Sequence, residues 1–194
     1  MTSQKIRQQS VERPSTIASN FYLHPAQYDL SLEQIFARSW QFIGTSQTVF
    51  GDTNSESKNN GKIPAGSMAP ITLLEGSLNE PLLLSQDNEK LHCLSNVCTH
   101  RGSILIENNC QHSSIRCRYH GRRFATDGTY QSAPGFEGAE DFPSAADNLP
   151  HAALGSWGNL LFAGIKPAIE LDQLIGEMQA RLAFLPLAEF TFAP

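Results

Sequence analysis

Apolar residues along this chain fall mostly into short runs broken by turn residues, and helical spacing is confined to the two ends. Ser31 and Gln34 have the form of a capping box, with Leu32, Ile35, Phe36 and Trp40 on one helical face, so the spacing predicts a short amphipathic helix covering a core. Trp40 to Gly44 then turns β-prone. Strand-like runs follow at Pro70 to Glu75, Pro81 to Ser85, Leu91 to Asn96, Ser114 to Arg116, Arg123 to Thr126, Thr129 to Gln131 and Asn159 to Gly164. Asp127-Gly128 between two of them suits a type I′ hairpin turn, in which both central residues take positive φ. Leu171, Leu174, Ile175, Met178 and Leu182 repeat at helical spacing between Pro167 and Pro186, which predicts a second amphipathic helix with Met178 filling core. Two polar stretches frame this pattern: a lead-in from Met1 to about Ser19, expected as a mobile arm, and Gly51 to Gly61, expected as a solvent loop. The prediction is a mainly β domain with a helix on each side.

Composition narrows the function. The 194 residues, at about 150 per domain, amount to one domain with attached elements. Fourteen basic against nineteen acidic residues, a net charge of −5, argue against nucleic acid or an anionic membrane as partner. No apolar run approaches the ~20 residues that span a bilayer, and no secretion signal is recognisable at the start, so a cytoplasmic protein is expected. In that compartment the four cysteines read as metal ligands or buried thiols before disulfides.

Their spacing changes the picture. Cys98-Thr99-His100-Arg101-Gly102 is followed by Cys117-Arg118-Tyr119-His120-Gly121, a C-x-H-x16-C-x2-H pattern. A C2H2 zinc finger groups a cysteine pair and then a histidine pair. Here each loop offers one thiolate and one imidazole. That suits a two-iron centre with both thiolates on one iron and both imidazoles on the other, the exchange that defines a Rieske [2Fe-2S] cluster. Neutral imidazoles make the histidine-bound iron the one reduced, and they raise the potential into a range of roughly −150 to +300 mV. Cys93 and Cys110 read as free thiols. His24, His92, His112 and His151 read as surface or internally satisfied histidines.

The loops CTHRG and CRYHG resemble the two cluster-binding loops of Rieske proteins. The wider sequence resembles the N-terminal part of the α subunit of the ring-hydroxylating Rieske non-haem iron oxygenases. That likeness rests also on FYLHP at Phe21 to Pro25, IFARSWQFIG at Ile35 to Gly44, EPLLL at Glu80 to Leu84, LSNVCTHRG at Leu94 to Gly102 and FEGAEDFP at Phe136 to Pro143. It implies a Rieske-type antiparallel β-sandwich with a cluster-binding subdomain, flanked by an N-terminal and a C-terminal helix. The expected organisation is a flexible arm over residues 1–20 and the Rieske domain over 21–194, with cluster loops at 97–103 and 116–124. By the same resemblance Cys98 and Cys117 ligate one iron and His100 and His120 the other, with Arg101, Gly102, Tyr119 and Gly121 as supporting loop residues. Arg122 is a further polar neighbour, with an ordinary surface role as its alternative.

The resemblance implies one-electron transfer from a reductase or ferredoxin to a mononuclear iron held by two His and a carboxylate. No second His-carboxylate cluster is present in these 194 residues, so the catalytic domain is expected to be absent from the chain, which then has no catalytic residues of its own. A homo-oligomer is a further expectation. The alternatives are a stand-alone Rieske ferredoxin, a structural zinc protein and a regulatory remnant. Two departures stand out. Respiratory Rieske proteins carry an extra cysteine in each loop, where this chain has Ser103 and Tyr119, so no disulfide can brace the cluster. Many oxygenases have Pro and Trp where it has Arg118 and Arg122, which puts docking to a generic partner in question.

Overall fold

The computed structural model describes residues 16–51, 63–136, 138–187 and 190. Most of the expected arm over residues 1–20, and nearly all of the Gly51 to Gly61 loop, lie outside these. Ser19 and Asn20, at the end of that arm, open the first helix, α1 (Ser19–Leu23). The next helix, α2, spans Pro25–Gln34, and a 3₁₀ turn over Phe36–Arg38 follows. The helix therefore ends where the sequence pattern had it begin. His24 is the N-cap, its Nδ1 accepting the Ala26 N–H at 3.3 Å, and Pro25 occupies the first helical position, where its missing N–H costs nothing. Ser31 caps nothing, because its hydroxyl donates to the Gln27 carbonyl one turn back at 2.7 Å. Nor does α2 cover a core, since it buries no residue.

Among the described residues ten strands follow in all-antiparallel pairing: β1 (Gln41–Thr45), β2 (Ser67–Leu73), β3 (Glu80–Gln86), β4 (Leu91–Ser95), β5 (Cys110–Gln111), β6 (Ile115–Arg116), β7 (Arg123–Phe124), β8 (Tyr130–Ser132), β9 (Ala153–Trp157) and β10 (Leu160–Gly164). A short helix, α3 (Ser46–Phe50), lies between β1 and β2. They form three sheets, ordered β1-β10-β9, β4-β3-β2-β5 and β6-β7-β8. The four-stranded sheet is buried on both faces, which explains why β3 reads as a continuous apolar run instead of an alternating one. Leu82 and Leu84 join Ala69, Leu73, Cys93 and Leu161 in one core. Leu83 points the other way, to Met68, Leu94, Ile115, Phe124 and Leu149 in a second core. That second core also contains Cys98 and Cys117, so the sheet face supports both candidate loops from below.

The β7–β8 turn differs from the type I′ expectation. Gly128 takes a φ of 88°, but Asp127 is not among the residues with positive φ. Asp127 Oδ1 accepts the Thr129 N–H at 2.9 Å, and the Gly128 N–H reaches back to the Ala125 carbonyl at 3.0 Å, so the loop is longer and ends on a left-handed glycine. The C-terminal helix, α4 (Leu171–Arg181), falls where its spacing puts it and buries Leu171 and Ile175. Leu171 covers Gly155, where an added Cβ would stand 2.5 Å from Leu171 Cδ2. Met178 is a correction: it is 52% exposed and fills no core, because only the Leu171 and Ile175 edge of the helix meets the sheet.

Beside the sheet, Asp87 Oδ2 lies 2.6 Å from Nε2 of the buried His92. The Lys90 N–H, then His92, hold the Asp87 carboxyl down at about 2, against an ordinary value of 3.8. A depressed carboxyl stabilises the fold fully above its unfolded value, and that contribution disappears as pH falls through about 2. Urea melts of the parent chain and Asp87→Asn are therefore expected to differ most at pH 5 to 7 and to converge as pH falls from about 4 towards 2. A gap independent of pH would refute the pairing.

Candidate metal centre

The two loops are built alike. The first leaves β4 and is closed at its base by a bridge between Val97 and Ile104, while the second joins β6 to β7 above the Arg116–Arg123 pair. In each, the cysteine N–H donates to the carbonyl five residues on, Cys98 to Ser103 and Cys117 to Arg122, both at 2.8 Å. In each, the glycine four residues on donates back to the cysteine carbonyl, Gly102 to Cys98 and Gly121 to Cys117, both at 3.0 Å. These glycines have φ of 70° and 76°, a left-handed turn that an L side chain resists.

The turns bring the predicted donors together in two pairs. Cys98 and Cys117 are buried side by side, within hydrogen-bonding reach of one another, at the top of the second core. His100 is half-buried and His120 exposed above them, their ring centroids 4.8 Å apart at 68°. Burial raises the Cys98 thiol, opposed in part by the His100 N–H. Burial acts on Cys117 too, but the N–H groups of Tyr119 and His120 and contacts to Cys98 and Ser103 outweigh it, so its thiolate forms more readily. The Ser103 hydroxyl thus reaches from the first loop to the sulfur of the second. Partial burial, then His120, Arg101 and Arg122, hold His100 towards its neutral, metal-binding form.

The supporting residues divide. Tyr119 is exposed and lies over the His120 ring, centroids 3.8 Å apart at 35°. Phe136 meets His100 edge-on at 5.8 Å. Arg101 is exposed, and Arg118 faces solvent in a loose 3.6 Å pair with Glu107. Arg122 is the surprise, since it is buried and tied to Thr99 and Asp147; as a docking residue it is therefore excluded, leaving only Arg118 of the two departures at the surface. Sequence alone pointed to neither Asp147 nor Thr99. Asp147 carries one legible signal, the Ser144-x-x-Asp147 capping box that fixes it. Cys93 sits in the other core, where burial pushes its thiol up to about 12, and Cys110 pairs with Met68 at the sheet edge.

Residues 56–143 match the family model described as the Rieske [2Fe-2S] domain. That stretch is a Rieske [2Fe-2S] domain. Its relatives include the chloroplastic choline monooxygenase of Spinacia oleracea, 29% identical over 161 residues, which cover 82% of this chain and 33% of that protein. The anthranilate 1,2-dioxygenase large subunit of Acinetobacter baylyi is 25% identical over 172 residues, covering 86% of this chain and 33% of its own. In fold, the chain is similar to a crystal structure of a quaternary ammonium Rieske monooxygenase, with a TM-score of 0.70 at 19% identity over 87% of this chain and 45% of that one. The chain thus spans about a third of the length of the curated relatives it matches.

A Rieske domain implies a Rieske-type [2Fe-2S] cluster, and the residues present fit that group. Among the described residues no three His, Cys, Asp or Glu side chains converge to hold a single ion. The donors instead form a buried thiol pair beneath an outer imidazole pair. Two irons taking two protein donors each match that division, whereas a tetrahedral zinc site gathers four donors at one point.

Proposed function

We propose that this Rieske domain is the electron-transfer part of an oxygenase α subunit, with Cys98 and Cys117 on one iron and His100 and His120 on the other. The observation that carries it is the matched pair of loops, which hold two buried thiols side by side and two neighbouring imidazoles nearer the surface. When bound, the cluster supplies reversible one-electron transfer. The chain's own residues prepare for it: N–H groups of His100, Tyr119 and His120 point at the sulfurs and favour their anionic form. The second core keeps water from the thiol side, so the imidazole edge, flanked by Tyr119 and Phe136, is the route by which an electron leaves.

On this reading the donor is a reductase or ferredoxin, and the acceptor is a mononuclear iron outside these residues. A homo-oligomer fits the exposed side chains of α1, α2 and the C-terminal segment, among them Tyr22, Leu23, Tyr28 and Phe184, which a stand-alone ferredoxin would not need. A cytoplasmic setting fits four cysteines, none of them in a disulfide. Among the described residues no helix is long and apolar enough to cross a membrane.

Low-temperature EPR and visible absorption of protein purified without oxygen, before and after dithionite, test the proposal. The expected sample is red-brown and gives a rhombic signal with average g below the free-electron value. A colourless sample holding one zinc per chain would refute it.

A further inference from the structure

The buried cation beside the loops has no part in ligation. Arg122 directly follows Gly121, yet only 4% of it is exposed. Burying a guanidinium is costly unless charge and hydrogen bonds are returned to it. Here its Nη1 donates to Thr99 Oγ1 at 2.8 Å and to Asp147 Oδ1 at 3.2 Å, and its charged carbon lies 5.4 Å from the ring centroids of both Tyr130 and Phe142. Nε has no partner. Thr99 lies between Cys98 and His100, and its hydroxyl donates in turn to the Asp147 carbonyl at 2.9 Å. One side chain of the second loop therefore holds the first loop at the residue between its two donors. Asp147 is fixed independently by the N–H and hydroxyl of Ser144.

We propose that Arg122 is a positioning residue that clamps the two loops through Thr99 and, its charge incompletely offset by Asp147, raises the reduction potential of the cluster. The inference rests on the ligand reading above. Reduction adds one negative charge, so a fixed cation nearby favours the reduced form and a fixed anion opposes it. Through Thr99 the guanidinium is tied to the residue that lies between Cys98 and His100, so its charge sits beside both first-loop donors. The burial of Arg122 limits the screening of its field, whereas Asp147 is partly exposed to solvent.

The test is the midpoint potential of the full chain, purified without oxygen, with Arg122→Gln, Arg122→Lys and Asp147→Asn. Arg122→Gln removes the cation and is expected to lower the potential by a tenfold change in the reduction equilibrium, about 59 mV for one electron. Asp147→Asn keeps the acceptor for Ser144 but removes the anion, and is expected to raise it. Arg122→Lys keeps the charge and is expected to stay closer to the parent than Gln does. Loosened loops alone would move the Gln and Asn variants in the same direction, so shifts of the same sign, or none, overturn the inference. Should Arg122→Gln fail to assemble a cluster, the direction of the Asp147→Asn shift decides. A parent chain with its Rieske signal and unmoved variants sinks only this inference, whereas a parent chain without that signal sinks the ligand reading and the inference together.

Discussion

Cys117→Ser protein, purified without oxygen, is expected to carry at least about tenfold less iron than the parent chain and to lose its visible absorption and rhombic EPR signal. The serine hydroxyl is a harder and far less acidic donor than a thiol whose anion is already favoured by the N–H groups of Tyr119 and His120. Iron measured by mass spectrometry, against protein from amino-acid analysis, gives the ratio directly. The controls are the two other cysteines. Cys93 lies in the opposite core with its thiol pushed up to about 12, and Cys110 sits on the sheet edge, so serine at either is expected to leave the iron content unchanged. Equal iron in Cys117→Ser and the parent would refute the assignment of this sulfur.

Phe124→Ala is expected to cost the fold about 3–5 kcal/mol, a large share of the roughly 5–15 kcal/mol that holds a domain together. The ring is fully buried in the core beneath the loops, with Leu83, Leu94, Ile115 and Leu149, and meets Tyr130 edge-on at 6.5 Å. Tyr130 in turn faces Arg122 and Phe142, so a cavity at Phe124 undermines the layer on which the second loop rests. Urea denaturation of the apo chain measures the loss without interference from metal binding. Phe124→Leu, which keeps much of the volume, is expected to recover most of it. A change below about 1 kcal/mol for the alanine variant would mean that this core does not support the loops.

What the sequence disclosed follows from how local each signal is. The loop pattern was legible because each cysteine, histidine and glycine lies within five consecutive residues, and close spacing alone forces them into one turn. The longer strands were legible from apolar runs bounded by turn residues. β9 was not, because Ala153–Trp157 is only partly buried and its Gly155 is set by Leu171, a contact no local pattern carries. α2 was misplaced because the Ser31 and Gln34 pair resembles a start signal, while the real one, His24 before Pro25, uses an imidazole nitrogen as the cap. Met178 was misjudged because helical periodicity identifies a face without saying how wide its contact is. Arg122 was hidden most deeply, since its partners Thr99, Tyr130, Phe142 and Asp147 come from three separate stretches of the chain.

The leucine triplet of β3 leaves one question that the cores themselves do not answer. Sliding that strand by one residue would exchange Leu82 and Leu84 for Leu83 between the two faces, and leucine would still meet leucine-lined space on either side. Packing there is almost blind to alignment, so the choice must be made elsewhere. It falls to the connection between β2 and β3, where Leu74 and Asn79 both adopt left-handed backbone, both Ser77 and Asn79 donate to the Leu74 carbonyl, and the Asn79 side chain receives the Gly76 N–H at 2.8 Å. This surface turn acts as the fold's zipper stop: it decides which leucines lie under the thiols and which lie on the far side of the sheet.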